Sequence, residues 1–339
     1  MESRACNGGS LSDVPDASTR LSVFIASRFI DEVRAEISSA FDAVFAEGEG
    51  DPLDELDRRS RAGEHFDAVF FSLDRAMGTD EIRRLPEDIR ALATYSVGTD
   101  HIDLATAAER GLAVFNTPGV LADSVAENAI FLMLGAARRA TENLELLRSR
   151  AWSGWKPTQI IGRQLAGRTL GILGMGDIGE RIALRARAFR MEIHYCNRRP
   201  LPVDHPVGAQ YRESAAALVA DCDVLMLACP STPATRGIVD EALLSAARPG
   251  LIVVNIARGD LVLDDALIAA LSDGRVWAAG LDVFAGEPRI DERYFDLPNV
   301  FMLPHIGSST IEARLGMGRI LIAGLTAWRR GEPVSNRVA

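Results

Sequence analysis

Cysteine is scarce in this chain: four (Cys6, Cys196, Cys222, Cys229) among 339 residues. None stand two apart, and no histidine lies at ligand spacing from them, so no metal site is expected. So few thiols in so long a chain make no disulfide framework, which suits a reducing compartment. Positive charge is not in surplus either, since 37 Lys and Arg face 47 Asp and Glu, a net charge of −10. Non-specific nucleic-acid or anionic-membrane binding needs basic surface, so both are disfavoured as partners. A local basic pocket for a phosphate stays open. Long apolar runs are missing too. The longest candidate for a membrane segment, Ala129 to Ala137, is too short to span and runs into Arg138 and Arg139. Residues 1–20 carry Gly, Ser, Asp and Pro without an apolar stretch, so they read as a flexible tail rather than a secretory signal. There is no short-period repeat and no low-complexity segment. The expectation is a soluble, cytoplasmic protein.

What is present is an ordinary globular composition, 47% hydrophobic and 25% charged, over a length of about two domains. Short apolar runs alternate with longer amphipathic ones. Leu21 to Ala26, Phe41 to Ala46, Asp67 to Ser72, Ala91 to Ser96 and Leu112 to Asn116 read as strands, with helices such as Asp31 to Ala40 and Asp80 to Leu85 between them. The strands are apolar throughout, as in a parallel sheet covered on both faces. Ala122 to Arg148 reads as one long helix, with Val125, Ala129, Leu132, Met133, Ala136, Leu144 and Leu147 near a helical period. It suits a domain link, a subunit interface or a buried core helix. An irregular segment with Trp152 and Trp155 follows, placed either to reach the substrate or to pack at an interface. Six more strands come next: Arg168 to Leu173, Met191 to Cys196, Val224 to Cys229, Leu251 to Ile256, Val276 to Gly280 and Val300 to Leu303. A last helix near Thr310 to Arg330 is positioned to return to the first half. The fold class is α/β, with two doubly wound parallel sheets.

Between the strand 168–173 and the next helix lies Gly174-Met175-Gly176-Asp177-Ile178-Gly179. At a strand-to-helix turn this pattern is a dinucleotide fingerprint. Gly174 permits the tight turn, Gly176 clears room for pyrophosphate, and Gly179 lets helix and strand pack closely. The helix N-terminus offers free N–H groups to the phosphates. NAD-binding versions usually end the next strand with an acidic residue on the ribose 2′-hydroxyl. Here Asn197-Arg198-Arg199 stands there. Neutral Asn197 does not repel a 2′-phosphate, and two guanidinium groups can pair with one. The expected cofactor is NADP(H), with NAD(H) still possible.

Three strand ends of the second half each present one charged or titratable group: Arg258, Glu287 and His305. Carbonyl reduction of an acid needs such a set: a cation for the carboxylate, a proton donor, and a carboxylate that keeps the donor protonated.

At this point the chain resembles the D-isomer-specific 2-hydroxyacid dehydrogenases. The matching segments are Tyr95 to Asp103, Asn116-Thr117-Pro118, Val125-Ala126-Glu127, Gly174 to Gly179, Cys229-Pro230 with Thr232-Pro233, Asn255 to Gly259, Leu281 to Phe284 with Gly286-Glu287-Pro288, and Pro304 to Gly307. They occur in the family's order over about residues 21 to 330. The glyoxylate/hydroxypyruvate reductase branch is the most similar, mainly through Asn197-Arg198-Arg199. The resemblance implies a flavodoxin-like substrate domain (21–119 and 305–339), a Rossmann dinucleotide-binding domain (120–304) and a cleft between them. It implies that Arg258 binds the substrate carboxylate, that His305 exchanges the proton, and that Glu287 favours the protonated imidazole. Backbone N–H groups of Val97 and Gly98 would clamp the carboxylate. Asp282 would orient the nicotinamide, with further cofactor contacts at Asp177, Ile178, Cys229, Pro230, Ile256, His305 and Gly307. The helix 122–148 would form a homodimer. Rival expectations are a dehydrogenase of another acid (phosphoglycerate-, gluconate- or phosphite-type) using NAD, and a nucleotide-sensing, corepressor-like binding protein.

Overall fold

The computed structural model describes residues 20–339; the expected tail at 1–20 lies, but for Arg20, outside the described residues. The chain divides into two units, one of the residues up to Pro118 with Met317–Ala339, the other Gly119–Gly316.

In the first unit, strands β1 (Ser22–Ile25), β2 (Asp42–Phe45), β3 (Ala68–Phe71), β4 (Ala91–Thr94) and β5 (Ala113–Phe115) alternate with helices α1 (Asp31–Ala40), α2 (Pro52–Arg61), α3 (Thr79–Arg84) and α4 (Leu104–Glu109). All pairings are parallel, in the order β2-β1-β3-β4-β5. Phe70, Phe71, Leu92 and Ala93 are fully buried, because helices cover both faces and leave no side for polar residues.

The second unit opens with α5 (Ala122–Ala137) and α6 (Ala140–Arg148). The single helix expected over 122–148 is therefore two. The break falls at Arg139, which is left-handed (φ 55), and the Ala137 carbonyl accepts from the Arg163 N–H at 2.7 Å instead of continuing the helix. Then come β6 (Thr169–Leu173), α7 (Asp177–Ala188), β7 (Glu192–Cys196), β8 (Gln210–Tyr211), α8 (Ala215–Val219), β9 (Val224–Leu227), α9 (Glu241–Ser245), β10 (Leu251–Asn255), α10 (Asp264–Ser272), β11 (Val276–Leu281) and β12 (Val300–Met302). The sheet runs β12-β11-β10-β9-β6-β7-β8, all parallel. It has seven strands rather than six; β8 is two residues long and carries no apolar run to reveal it.

Helix α11 (Ile311–Arg329) closes the chain. Its later part packs in the first unit: Trp328 meets the Phe115 ring edge-on at 6.0 Å, and a Cβ at Gly318 would touch Val33. Residues 305–316, assigned from sequence to the substrate domain, fall in the second unit. The physical reason is local: Asp282 binds the N–H groups of Ile306 and Gly307, and Ser124 donates to the Gly307 carbonyl at 2.7 Å.

Candidate active site

A parallel sheet delivers whatever follows its strands to one edge. In sheet order that edge of the second unit carries His305 after β12, Asp282 after β11, Arg258 after β10, Cys229 after β9, Gly174 after β6 and Asn197 after β7. The winding reverses between β9 and β6, where doubly wound sheets bind ligands.

The glycine loop meets the demands placed on it. Gly174 has φ +104, and a Cβ there would lie 2.5 Å from the Cys229 nitrogen. A Cβ at Gly179 would lie 2.3 Å from the Gly174 carbonyl oxygen, so helix and strand close only around hydrogen. Gly176 faces open space, with nothing within 4 Å of an added Cβ, and as N-cap of α7 it gives the first turn no side-chain acceptor. Space and unmet N–H donors together fit a pyrophosphate. Asp177 is exposed and accepts from Arg181 at 2.9 Å, while Ile178 is half-buried. Asn197 holds the loop from the side: its Oδ1 accepts from the Met175 N–H at 2.7 Å, and its Nδ2 donates to the Met175 carbonyl at 3.0 Å. Arg198 and Arg199 are exposed and make no ion pair among the described residues. Cys229 is buried, which pushes its thiol up to about 11 and keeps it protonated, whereas Pro230 is exposed.

At the other end of the edge, His305 Nδ1 and Glu287 Oε2 are 2.8 Å apart, with 35% and 32% of the two side chains exposed. The other Glu287 oxygen accepts from the Phe284 N–H at 2.6 Å. Burial opposes ionisation of this carboxyl, but the hydrogen bonds from His305 and Phe284 and the charges of His305 and Arg258 outweigh it. The group is held below the ordinary carboxylate value. An ionised Glu287 on Nδ1 leaves Nε2 as the nitrogen free to exchange a proton.

Arg258 is positioned by its neighbours. Asn255, 1% exposed at the end of β10, accepts from the Ala257 N–H at 3.0 Å and donates to the Arg258 carbonyl at 2.8 Å. Beside it, a Cβ at Gly259 would stand 1.9 Å from the Phe284 carbonyl carbon. Only glycine lets the Arg258 turn lie against the segment leading to Glu287. Ile256 is buried next to it.

Asp282 is 1% exposed, and its two oxygens accept from the Ile306 and Gly307 N–H groups at 2.9 Å each. Burial raises its carboxyl above the ordinary value against the pull of those donors and of His305. The task the structure shows for Asp282 is to anchor the His305 loop. His305 itself is left-handed (φ 54), a strained state for a non-glycine residue.

In the first unit, the Val97 carbonyl accepts from Asn116 Nδ2 at 2.9 Å and the Gly98 carbonyl from Ser96 Oγ at 2.7 Å. With both carbonyls tied back, the Val97 and Gly98 N–H groups have no acceptor among the described residues. Trp152 and Trp155 are 51% and 81% exposed and line a groove of about 550 Å³ with Leu146, Leu147 and Ile161.

Sequence reasoning gave no role to Asn255, Ser124 or Gly259. Asn255 was findable, since Asn at a strand end before a turn binds backbone two residues on. Ser124 and Gly259 depend on contacts no local pattern encodes. Among the described residues no His, Cys, Asp or Glu group could hold a metal ion, and no helix is long and apolar enough to cross a membrane.

The sheet edge thus carries a glycine loop with room for a pyrophosphate and, further along, the His305–Glu287 pair. We accordingly place the chain among the NAD(P)-dependent oxidoreductases acting on 2-hydroxy acids, and sequence comparison agrees. The family described as "D-isomer specific 2-hydroxyacid dehydrogenase, NAD binding domain" matches residues 130–307. Similar proteins include glycerate dehydrogenase of Hyphomicrobium methylovorum, 42% identical over 276 residues (81% of this chain, 85% of that protein). Glyoxylate reductase of Pyrococcus furiosus is 40% identical over 271 residues (78% and 80%). Among solved structures, an NADPH-dependent glyoxylate/hydroxypyruvate reductase from Sinorhizobium meliloti, in complex with NADP and malonate, matches with TM-score 0.83 and 30% identity, covering 94% of this chain and 97% of that one. The chain belongs to the D-isomer-specific 2-hydroxyacid dehydrogenases.

Proposed function

We propose that the protein reduces small 2-oxo acids of the glyoxylate and hydroxypyruvate type to D-2-hydroxy acids, with NADPH preferred over NADH. The observation that carries the reaction is the 2.8 Å His305–Glu287 pair next to the Arg258 turn. The bound nicotinamide supplies the hydride. Arg258 draws the acid's carboxylate and polarises the 2-oxo group; in the first unit, Val97 and Gly98 offer N–H donors suited to a carboxylate. His305 Nε2 gives its proton to the carbonyl oxygen as the carbon receives the hydride, so a 2-oxo acid, a hydride and a proton yield the 2-hydroxy acid. Ionised Glu287 accepts from His305 Nδ1 and holds the imidazole ring in place.

The glycine loop and the α7 N-terminus would hold the pyrophosphate. Arg198 and Arg199, exposed and unpaired among the described residues, would take the 2′-phosphate, with neutral Asn197 beside them. The glyoxylate reductase relatives support the acid class. So does the glycerate dehydrogenase, because reducing hydroxypyruvate gives glycerate. We also propose a homodimer through α5 and α6, supported by exposed Leu144, Leu147, Trp155 and Ile161 on or beside α6. Sedimentation as a monomer at micromolar concentration would contradict it.

The test is a spectrophotometric screen of NADPH and NADH against glyoxylate, hydroxypyruvate, pyruvate and longer 2-oxo acids. Turnover of glyoxylate and hydroxypyruvate with NADPH is expected. NADH used equally well overturns the cofactor preference, and no turnover of any 2-oxo acid overturns the reaction.

A further inference from the structure

The end of β4 carries a chain of hydrogen bonds whose direction is fixed by its last member. Ser96 Oγ lies 2.7 Å from the Gly98 carbonyl, which can only accept, so the single Ser96 hydroxyl proton is spent there. Thr94 Oγ1 lies 2.8 Å from Ser96 Oγ, so Thr94 must be the donor in that pair. Its proton is then spent, and the 2.9 Å contact between Thr94 Oγ1 and His101 Nε2 requires His101 to donate. The whole sequence therefore runs one way: His101 Nε2–H to Thr94, Thr94 to Ser96, Ser96 to the Gly98 carbonyl. Thr94 and Ser96 are 0% and 3% exposed, so water does not compete for them. His101 is fixed at both ends, its ring edge-on to Phe71 at 5.8 Å and its carbonyl accepting from the Met77 N–H at 2.8 Å.

We propose that Thr94, Ser96 and His101 are positioning residues for substrate binding: the donor chain pins the Gly98 carbonyl and, with Asn116 on the Val97 carbonyl and the Thr117 N–H on the Ser96 carbonyl, holds rigid the turn that offers the Val97 and Gly98 N–H groups to the acid's carboxylate. The proposal rests on the reading that these N–H groups bind that carboxylate. A donor pair must be held within a fraction of an ångström to favour its ligand. Asn116 sets the Val97 carbonyl, and the three-residue chain sets its neighbour.

The test compares Thr94→Val, which keeps shape and removes the hydroxyl, with Thr94→Ser, which keeps the hydroxyl and removes a methyl. With NADPH and glyoxylate, Thr94→Val is expected to raise KM about tenfold, the worth of about one well-placed hydrogen bond. Its kcat and its Kd for NADPH should stay within about twofold of wild type, and Thr94→Ser should restore KM. Ser96→Ala, which deletes one hydroxyl at the end of the chain, makes the same test if Thr94→Val does not fold. An unchanged KM in the folded variant overturns the proposal. So does equal damage from Thr94→Ser, which would mean that packing matters and the hydroxyl does not. Thermal protection of the NADPH-bound protein by oxalate is read in parallel. Protection lost in Thr94→Val and regained in Thr94→Ser supports the chain even if wild type reduces no 2-oxo acid, in which case only the catalytic reading falls. Wild-type turnover with an unaffected Thr94→Val sinks the chain alone.

Discussion

Asn197→Asp separates two tasks that the amide performs at once. The amide accepts from the Met175 N–H at 2.7 Å and donates to the Met175 carbonyl at 3.0 Å. Aspartate keeps the first bond and cannot make the second; it sets an anionic oxygen against a carbonyl oxygen. Losing that bond costs roughly 1 kcal/mol of loop positioning for either cofactor. The new charge adds a larger effect on NADPH alone: at about 6 Å from a phosphate charge and an effective dielectric of about 20, repulsion is roughly 2–3 kcal/mol, or about a hundredfold. For NADH, a charge-assisted bond to the ribose hydroxyl of about 1.5 kcal/mol or more roughly offsets the lost clamp. The variant should therefore lose several hundredfold, about 3–4 kcal/mol, in kcat/KM with NADPH while its NADH value moves less than about tenfold. Steady-state kinetics with both cofactors at saturating glyoxylate, with cofactor Kd from fluorescence titration, read this directly. A large gain with NADH and an intact NADPH value would refute it, since that result means Asn197 neither clamps the loop nor faces the 2′-phosphate.

Other perturbations bear on the rest of the edge. His305→Gln should lower kcat by about 10²–10⁴ with NADPH Kd near wild type, measured by stopped-flow reduction and titration. Gly259→Ala should lose soluble expression or melt far below wild type by calorimetry, because its Cβ would stand 1.9 Å from the Phe284 carbonyl carbon, a backbone atom that cannot swing aside. Glu287 is depressed in the folded state, so its stabilisation is complete above its ordinary value and fades as pH falls through the lowered one. The stability gap between wild type and Glu287→Gln in urea unfolding should therefore be widest near neutral pH and shrink on acidification below about pH 4.

What the sequence disclosed and what it hid divide along a physical line. The glycine loop was legible because each glycine answers a local constraint: a φ of +104 at Gly174, contact with the strand at Gly179, and open space at Gly176. The buried strands were legible because a sheet covered on both faces selects for continuous apolar runs. The Arg139 break was not, since it depends on the Arg163 N–H capturing the Ala137 carbonyl from a distant segment. The donor chain from His101 was not, since a hydroxyl's partner is set by orientation and not by spacing. His305 shows both sides. Its identity and strand-end position stand out in the sequence, but its left-handed backbone does not. Such a conformation costs about 1–3 kcal/mol in a non-glycine residue and persists only where the surroundings impose it. Here the restraints are the Asp282 carbonyl on the His305 N–H, the Asp282 carboxylate on the next two N–H groups, and Ser124 on the Gly307 carbonyl. Asp282 and Ser124 therefore hold the imidazole where Glu287 reaches it.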